Sequence, residues 1–198
     1  MLCLTSKTDP RWAEIAVDDF ETTLADHAHC EMKAATNALS LATRWPASPG
    51  VARALIDVAE EELQHFREVM ALLEARGIEL GRPESDLYAA ELRRAVNLSS
   101  DKTPHGSLAD RLLVGALIEA RSCERFRLLA DALAARGDAL APFYEELFAC
   151  EARHYTTMVD LAIEVRGDEP RVRARLAEIA RAEGEIAARF GVRPTIHG

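Results

Sequence analysis

Apolar residues recur three and four positions apart along most of this chain, and the rhythm stops only where Gly, Pro or a polar run intervenes. In "TDPRW", Asp9 reads as an N-cap and Pro10 as a first helical position. The helical pattern then continues to about Arg44, with a break near Val17. "WPASPG" is a turn, and Ser48-Pro49 opens a second long helix that Gly77 closes. Residues from about Asp86 to Val96 form a short helix, and "NLSSDKTPHG" is a polar loop at mid-chain. Ser107 caps a third long helix, with Asp110 in its first turn, and Gly137 ends it. A fourth runs from about Asp138 to Arg166, tolerating Pro142 near its start, and a last one opens at Glu169-Pro170 and stops before Gly191.

Composition agrees with this all-α reading. Hydrophobic residues make up 48% and aromatics 6%, with Ala, Leu, Glu and Arg dominant. Strand alternation and a glycine-rich phosphate loop are both missing. Four long helices in two pairs, each pair joined by a short turn and the pairs by a longer crossover, fit a ferritin-like four-helix bundle. Additional short and C-terminal helices complete it, in a single domain over residues 1–198.

Charge narrows the partners. A formal net charge of −9 repels nucleic acid and anionic membranes as a global field. The positive charge is nearly all arginine, the better residue for bidentate phosphate contacts. Arg93-Arg94, Lys102 with His105, and Arg171/Arg173/Arg175 are local candidates, although each reads first as solvated charge. Cys3, Cys30, Cys123 and Cys150 form no CxxC pair and read as small buried fillers. The N-terminus carries no signal-peptide pattern and no segment reaches membrane-spanning length. The expectation is a soluble, reduced, cytoplasmic protein with no membrane partner.

The candidate chemistry lies on helix faces that should be buried. Glu62 and His65 share a face with Leu55, Val58, Ala59, Phe66, Val69 and Leu72, whereas Glu61 lies with Asp57, Gln64 and Glu68 on a wet face. Glu151 and His154 share theirs with Tyr144, Leu147, Phe148, Met158 and Leu161. The first long helix offers Glu31 among Leu24, Ala28, Ala34, Ala35 and Ala38. The third offers Glu119 among Leu112, Gly115, Ala116, Cys123 and Phe126; its rival Glu124 keeps company with Arg121, Arg127 and Asp131. The interval Glu31 to Glu62 is 31 residues and Glu119 to Glu151 is 32, so all four glutamates fall near mid-helix and meet at one level. Four buried carboxylates need compensation. Two divalent cations supply it, in the pattern of one Glu from each of two helices and Glu-x-x-His from each of the other two.

The run "LADRLLVGALIEARSCERF", with "DHAHCEMKAA" and "EELQHF", resembles the tRNA 2-methylthio-N6-isopentenyladenosine hydroxylase family, MiaE, over nearly the whole chain. The resemblance implies metal ligands Glu31, Glu62, His65, Glu119, Glu151 and His154, which would carry catalysis through two Fe ions. It also implies O₂ as co-substrate and an external electron donor, a reductase or ferredoxin-like protein. The substrate would be the prenylated adenosine next to the anticodon of tRNA. Phe66, Phe126 and Tyr155 are candidate walls of a channel for the prenyl tail, with core packing the simpler reading of each. A monomer is expected. The alternatives are a quinone-ring hydroxylase, which would want an apolar membrane-facing helix, an iron store built as a shell, and a helical adaptor without metal.

Overall fold

The computed structural model describes residues 2–44, 48–83, 85–99 and 102–197. They form seven helices: α1 (Arg11–Asp18), α2 (Phe20–Ala42), α3 (Pro49–Arg76), α4 (Leu87–Ser99), α5 (Pro104–Ala135), α6 (Ala141–Arg166) and α7 (Glu169–Ala187). Helices α2 and α3 pack as one hairpin and α5 and α6 as the other, with α4 in the crossover and α7 lying against α4, α5 and α6. Among the described residues there is no strand, and no helix is long and apolar enough to cross a membrane.

Capping chemistry sets the boundaries, and it shifts several of them from the pattern reading. The break expected near Val17 falls at Asp19, whose side chain accepts from Thr22 N and restarts the chain as α2. The third long helix begins one turn before Ser107, because Thr103 caps it, accepting from Gly106 N at 3.1 Å, and Pro104 occupies the first turn. Residues 138–140 form a turn that precedes α6, with Asp138 accepting from Leu140 N. The crossover helix starts beneath Asp86, which accepts from Ala89 N, and extends to Ser99. Gly77 and Gly167 end α3 and α6 in the left-handed conformation at φ of 67° and 68°. The turn expected at "WPASPG" lies largely outside the described residues.

The core is split by a polar layer. On one side Leu41, Leu55, Leu112, Leu117, Met158 and Ala162 belong to a large apolar cluster shared by all four long helices. On the other, Phe126, Leu133, Tyr144 and Leu147 form one cluster and Leu24, Ala28, Val69 and Leu73 a second. Between them, at mid-helix, stand Glu31, Glu62, Glu119 and Glu151, all buried. Four carboxylates buried between apolar clusters are costly, so their presence is the feature the fold must account for.

Two ends of the chain brace this arrangement. The N-terminal segment lies against α7, where a methyl group on Gly184 would run into the Thr5 side chain. The C-terminal segment threads back along α2 and α5. Trp12 Nε1 donates to Thr195 O at 3.0 Å, Arg125 donates to the Thr195 and Ile196 carbonyls, and Ile196 N donates to Asp26 at 2.6 Å.

Candidate metal centre

Each of the two hairpins supplies one lone glutamate and one Glu-x-x-His turn. Glu31 comes from α2 and Glu119 from α5, while Glu62/His65 and Glu151/His154 come from α3 and α6. The structure brings all six together. Donor atoms of Glu31, Glu62, His65 and Glu151 lie within 4.8 Å of one another, and so do those of Glu62, Glu119, Glu151 and His154. The two sets share Glu62 and Glu151. Two such overlapping sets could hold two adjacent cations, with Glu62 and Glu151 within reach of both.

The atoms facing the centre lack other partners. Glu62 Oε1, His65 Nδ1, Glu151 Oε2 and His154 Nδ1 are buried without a hydrogen bond of acceptable geometry. His154 Nδ1 is nevertheless only 2.8 Å from Glu62 Oε1, and His65 Nδ1 is 3.4 Å from Glu31 Oε2. Buried polar atoms left orphaned cost about 1–3 kcal/mol each. Four of them converging from two hairpins fit a pair of divalent ions, whose +4 balances the four carboxylates. The donor set, oxygen-rich with one imidazole per position, suits iron or manganese better than a soft thiophilic ion.

Electrostatics without the ions point the same way. Burial raises Glu62 to about 8, and the Glu31 and Glu119 carboxylates add to it. Burial, then Glu119 and Glu62, push Glu151 well above the usual carboxylate range. Burial also opposes ionisation of Glu31, but the hydrogen bond with His27 and the nearby His65 imidazole outweigh it and hold Glu31 well below that range. The two imidazoles resist burial through their close approach to Cys150 and the glutamates, which lifts His65 to about 12 and His154 to about 11. The metal-free layer therefore holds protons that two cations would displace.

Three residues that the sequence reading left unassigned orient this set. His27 is fully buried, and its Nε2 stands 2.7 Å from Glu31 Oε1, while Tyr144 Oη sits 3.3 Å from its Nδ1. Its signal was legible: four residues before Glu31, on the same inward face. Glu61 was placed on the wet face, and it is half exposed there, yet its Oε2 reaches 3.1 Å from His154 Nε2. A partner on Nε2 turns Nδ1 toward the centre, as a metal-bound histidine requires. That contact crosses from α3 to α6, so no single-helix pattern reveals it. Cys150 departs from the filler reading. Its Sγ is 3.1 Å from Glu61 Oε2, 3.1 Å from Arg153 Nη2 and 3.6 Å from His154 Nε2. Burial opposes the thiolate, but hydrogen bonds with both histidines lower its pKa below the usual thiol value. Glu124, the rejected rival of Glu119, is bound elsewhere, accepting from Arg121 Nη1 at 2.5 Å and from Thr8 Oγ1 at 2.6 Å.

A cavity of about 410 Å³ opens onto the carboxylates. Buried Glu31, Glu62, Glu119 and Glu151 line it together with the small or apolar Ala34, Gly115 and Ile118 and the exposed Thr36, Ser40 and Arg93. The C-terminal segment contributes His197, stacked on Tyr88 and 3.0 Å from Ser122 Oγ. The expected wall residues are not among those lining this cavity. Phe126 is buried 4.8 Å from the His27 ring, Phe66 packs with Leu24, Ala28 and Val69, and Tyr155 packs against the large cluster. Each adjoins the polar layer from a core side, as close sequence neighbours of the ligands do, whereas the cavity runs between α2, α4 and α5.

Fold and centre together define a ferritin-like bundle of the dimetal carboxylate class. Within that class the chain belongs to the MiaE family, described as tRNA-(MS[2]IO[6]A)-hydroxylase, whose family model matches residues 1–198. The tRNA 2-(methylsulfanyl)-N(6)-isopentenyladenosine(37) hydroxylase of Pseudomonas putida is 41% identical over 175 residues, spanning 88% of this chain and 81% of that protein. Its namesake from Salmonella typhimurium is 38% identical over 127 residues, 62% of this chain and 44% of that protein. A solved structure from Synechococcus, named as a protein with aldehyde deformylating oxygenase activity, superposes with a TM-score of 0.88 at 36% identity. That match covers all of this chain and 96% of the other.

Proposed function

We propose that this protein hydroxylates the isopentenyl side chain of 2-methylthio-N6-isopentenyladenosine in tRNA, at the nucleotide next to the anticodon. One oxygen atom of O₂ enters the product and the other leaves as water, with two electrons from an external reductase or ferredoxin-like donor. The proposed ligands are Glu31, Glu62, His65, Glu119, Glu151 and His154, holding two iron ions. When bound, the iron pair supplies the activation of O₂ that no side chain of this protein can perform. The enzyme is proposed to act as a cytoplasmic monomer.

The cavity carries this reading. Its waist of Ala34, Gly115 and Ile118 offers a small apolar passage that accepts a branched hydrocarbon and directs it to the carboxylate end. Its mouth bears polar and basic groups, including Lys33, Asn37 and Arg93, suited to a nucleoside that stays near the surface. His27 fixes Glu31 and Glu61 fixes His154, so the ligand set is held in place before metal or substrate arrives. The apolar waist keeps bulk water from the reacting carbon once the tail fills it.

The test is the nucleoside composition of tRNA from cells with and without the gene, read by mass spectrometry. The hydroxylated prenyl nucleoside should vanish on deletion and its unhydroxylated precursor should accumulate. Identical profiles in both strains would refute the proposal.

A further inference from the structure

Two further depressions continue the metal cavity along α5. The first is a small notch lined by Arg93, Val96, Asn97, Ser107, Asp110 and Arg111 among others, so Arg93 belongs both to it and to the metal cavity. The second is an open cleft of about 460 Å³ between the start of α5, the end of α6 and α7, and it shares Asp110 with the notch. From Glu119 to Gly106 is 13 residues of helix, about 20 Å. The three depressions follow one another along α5 as a segmented furrow, which Arg175 crosses by meeting Asp110 and donating to Val96 O at 3.3 Å.

The furrow beyond the metal cavity is basic in a chain whose formal charge is −9. Arg93, Arg111, Arg166, Arg171, Arg175 and Arg181 line it, against the carboxylates Asp110 and Glu178. Arg171, Arg175, Glu178 and Arg181 follow one another at helical spacing on α7, whereas Arg173 points elsewhere and pairs with Glu169 at 2.7 Å. Arg175 meets Asp110 at 2.9 Å and Glu178 at 2.7 Å. Arg171 and Arg181 stand exposed on either side of Arg175 along α7.

We infer that this furrow binds the phosphodiester backbone of an RNA strand whose modified base enters the adjoining metal cavity. The inference rests on the hydroxylase reading above and assigns its substrate-binding surface. Arginine suits the role, because its planar fork meets phosphate oxygens in pairs. A furrow about 20 Å long spans several nucleotides. This positions a strand without reading its sequence, which leaves selection of the base to the cavity.

The test uses metal-loaded full-length enzyme and tRNA isolated from cells lacking the gene. Kd is measured across a salt series, and kcat and KM at fixed salt. R171Q/R181Q is compared with R127Q/R136Q, an equal charge change at arginines off the furrow that pair with Asp131, Glu145 and Asp18. The furrow pair should weaken binding by roughly three- to tenfold near 0.1 M salt, lower the log–log salt slope by about 1–2, and raise KM with kcat unchanged. The control pair should change each by less than about twofold. Inorganic phosphate at matched ionic strength should not displace the tRNA.

Furrow variants that bind like the wild type, controls that weaken binding equally, or displacement by free phosphate would each overturn the assignment while the hydroxylase reading stands. Thermal unfolding of both pairs separates a binding defect from misfolding, and R111Q provides a second furrow variant on a different helix. A wild-type enzyme that neither binds nor hydroxylates the tRNA would remove the hydroxylase reading and this inference together.

Discussion

Glu119 and Glu124 lie five residues apart on α5, both buried, and their surroundings give them different work. Glu119 faces the other carboxylates, whereas Glu124 is held by Arg121 and Thr8. Glu119→Ala should lose at least one of the two metals, as read by metal analysis of reconstituted protein. Glu124→Ala should keep both and lose about 1–3 kcal/mol of stability, the cost of stripping a partner from a buried ionic network. The opposite pattern would show that the wrong glutamate has been assigned to the centre. The choice was legible in sequence, because Glu119 has apolar neighbours at helical spacing and Glu124 has charged ones. His27 was equally available by spacing. Glu61 was not, since its contact with His154 depends on the register between two helices.

The same residue scale carries a pH prediction. Glu62 and Glu151 have folded-state pKa values above the ordinary carboxylate value of 4.5, Glu62 reaching about 8. Groups shifted upward stabilise the fold fully below their unfolded pKa, and that contribution is lost as pH rises through the folded one. His65 and His154 act in the same sense but at higher pH, near 12 and 11. Melting temperatures of metal-free protein should therefore fall from about pH 5 to pH 9. Glu62→Gln should flatten that fall and leave the apo protein at least as stable at pH 8. A steeper slope in the variant would mean Glu62 makes a stabilising ionic contact when charged. Metal affinity should run the other way and rise with pH, because binding displaces these protons.

At the scale of elements, α7 and α4 are fixed to the bundle by one buried ionic network rather than by apolar contact alone. Arg121 of α5 donates to Glu183 of α7 at 2.8 and 3.0 Å, and Tyr88 of α4 donates to the same carboxylate at 2.8 Å. Glu183 and Arg121 are both at most 1% exposed. Arg121→Ala strands a buried carboxylate and should cost about 3–5 kcal/mol in chemical denaturation, without altering metal content per folded molecule. A cost under about 1 kcal/mol would show that Glu183 finds another partner. The element boundaries explain what sequence patterns reach. Gly77 and Gly167 announced the ends of α3 and α6, because glycine takes the left-handed closing conformation without the steric penalty a side chain would bring. The start of α5 was hidden, because "TPHG" carries loop residues that here serve as a cap, a first-turn proline and the cap's donor.

The whole molecule sets two hairpins face to face and leaves a passage beside their shared polar layer. The pairing of long helices and the shared level of four buried glutamates were readable from spacing, since 31- and 32-residue intervals put them at mid-helix. The cavity was not, since it is formed by α2, α4, α5 and the C-terminal segment together, and Phe66, Phe126 and Tyr155 were chosen only for their nearness to ligands in sequence. Ala34→Phe should close the waist. Two metals should remain bound while turnover of prenylated tRNA falls by at least about tenfold, a loss of about 1.4 kcal/mol or more in transition-state stabilisation. Unchanged turnover would mean the tail reaches the centre by another path.

The most direct measurement supplies reduced, iron-loaded enzyme with ¹⁸O₂ and prenylated tRNA, and in parallel with an aldehyde, the substrate type named for the Synechococcus structure. Mass spectrometry should find one ¹⁸O atom in the isopentenyl group of the tRNA nucleoside and no shortened product from the aldehyde. Conversion of the aldehyde with no oxygen entering the tRNA would contradict the account.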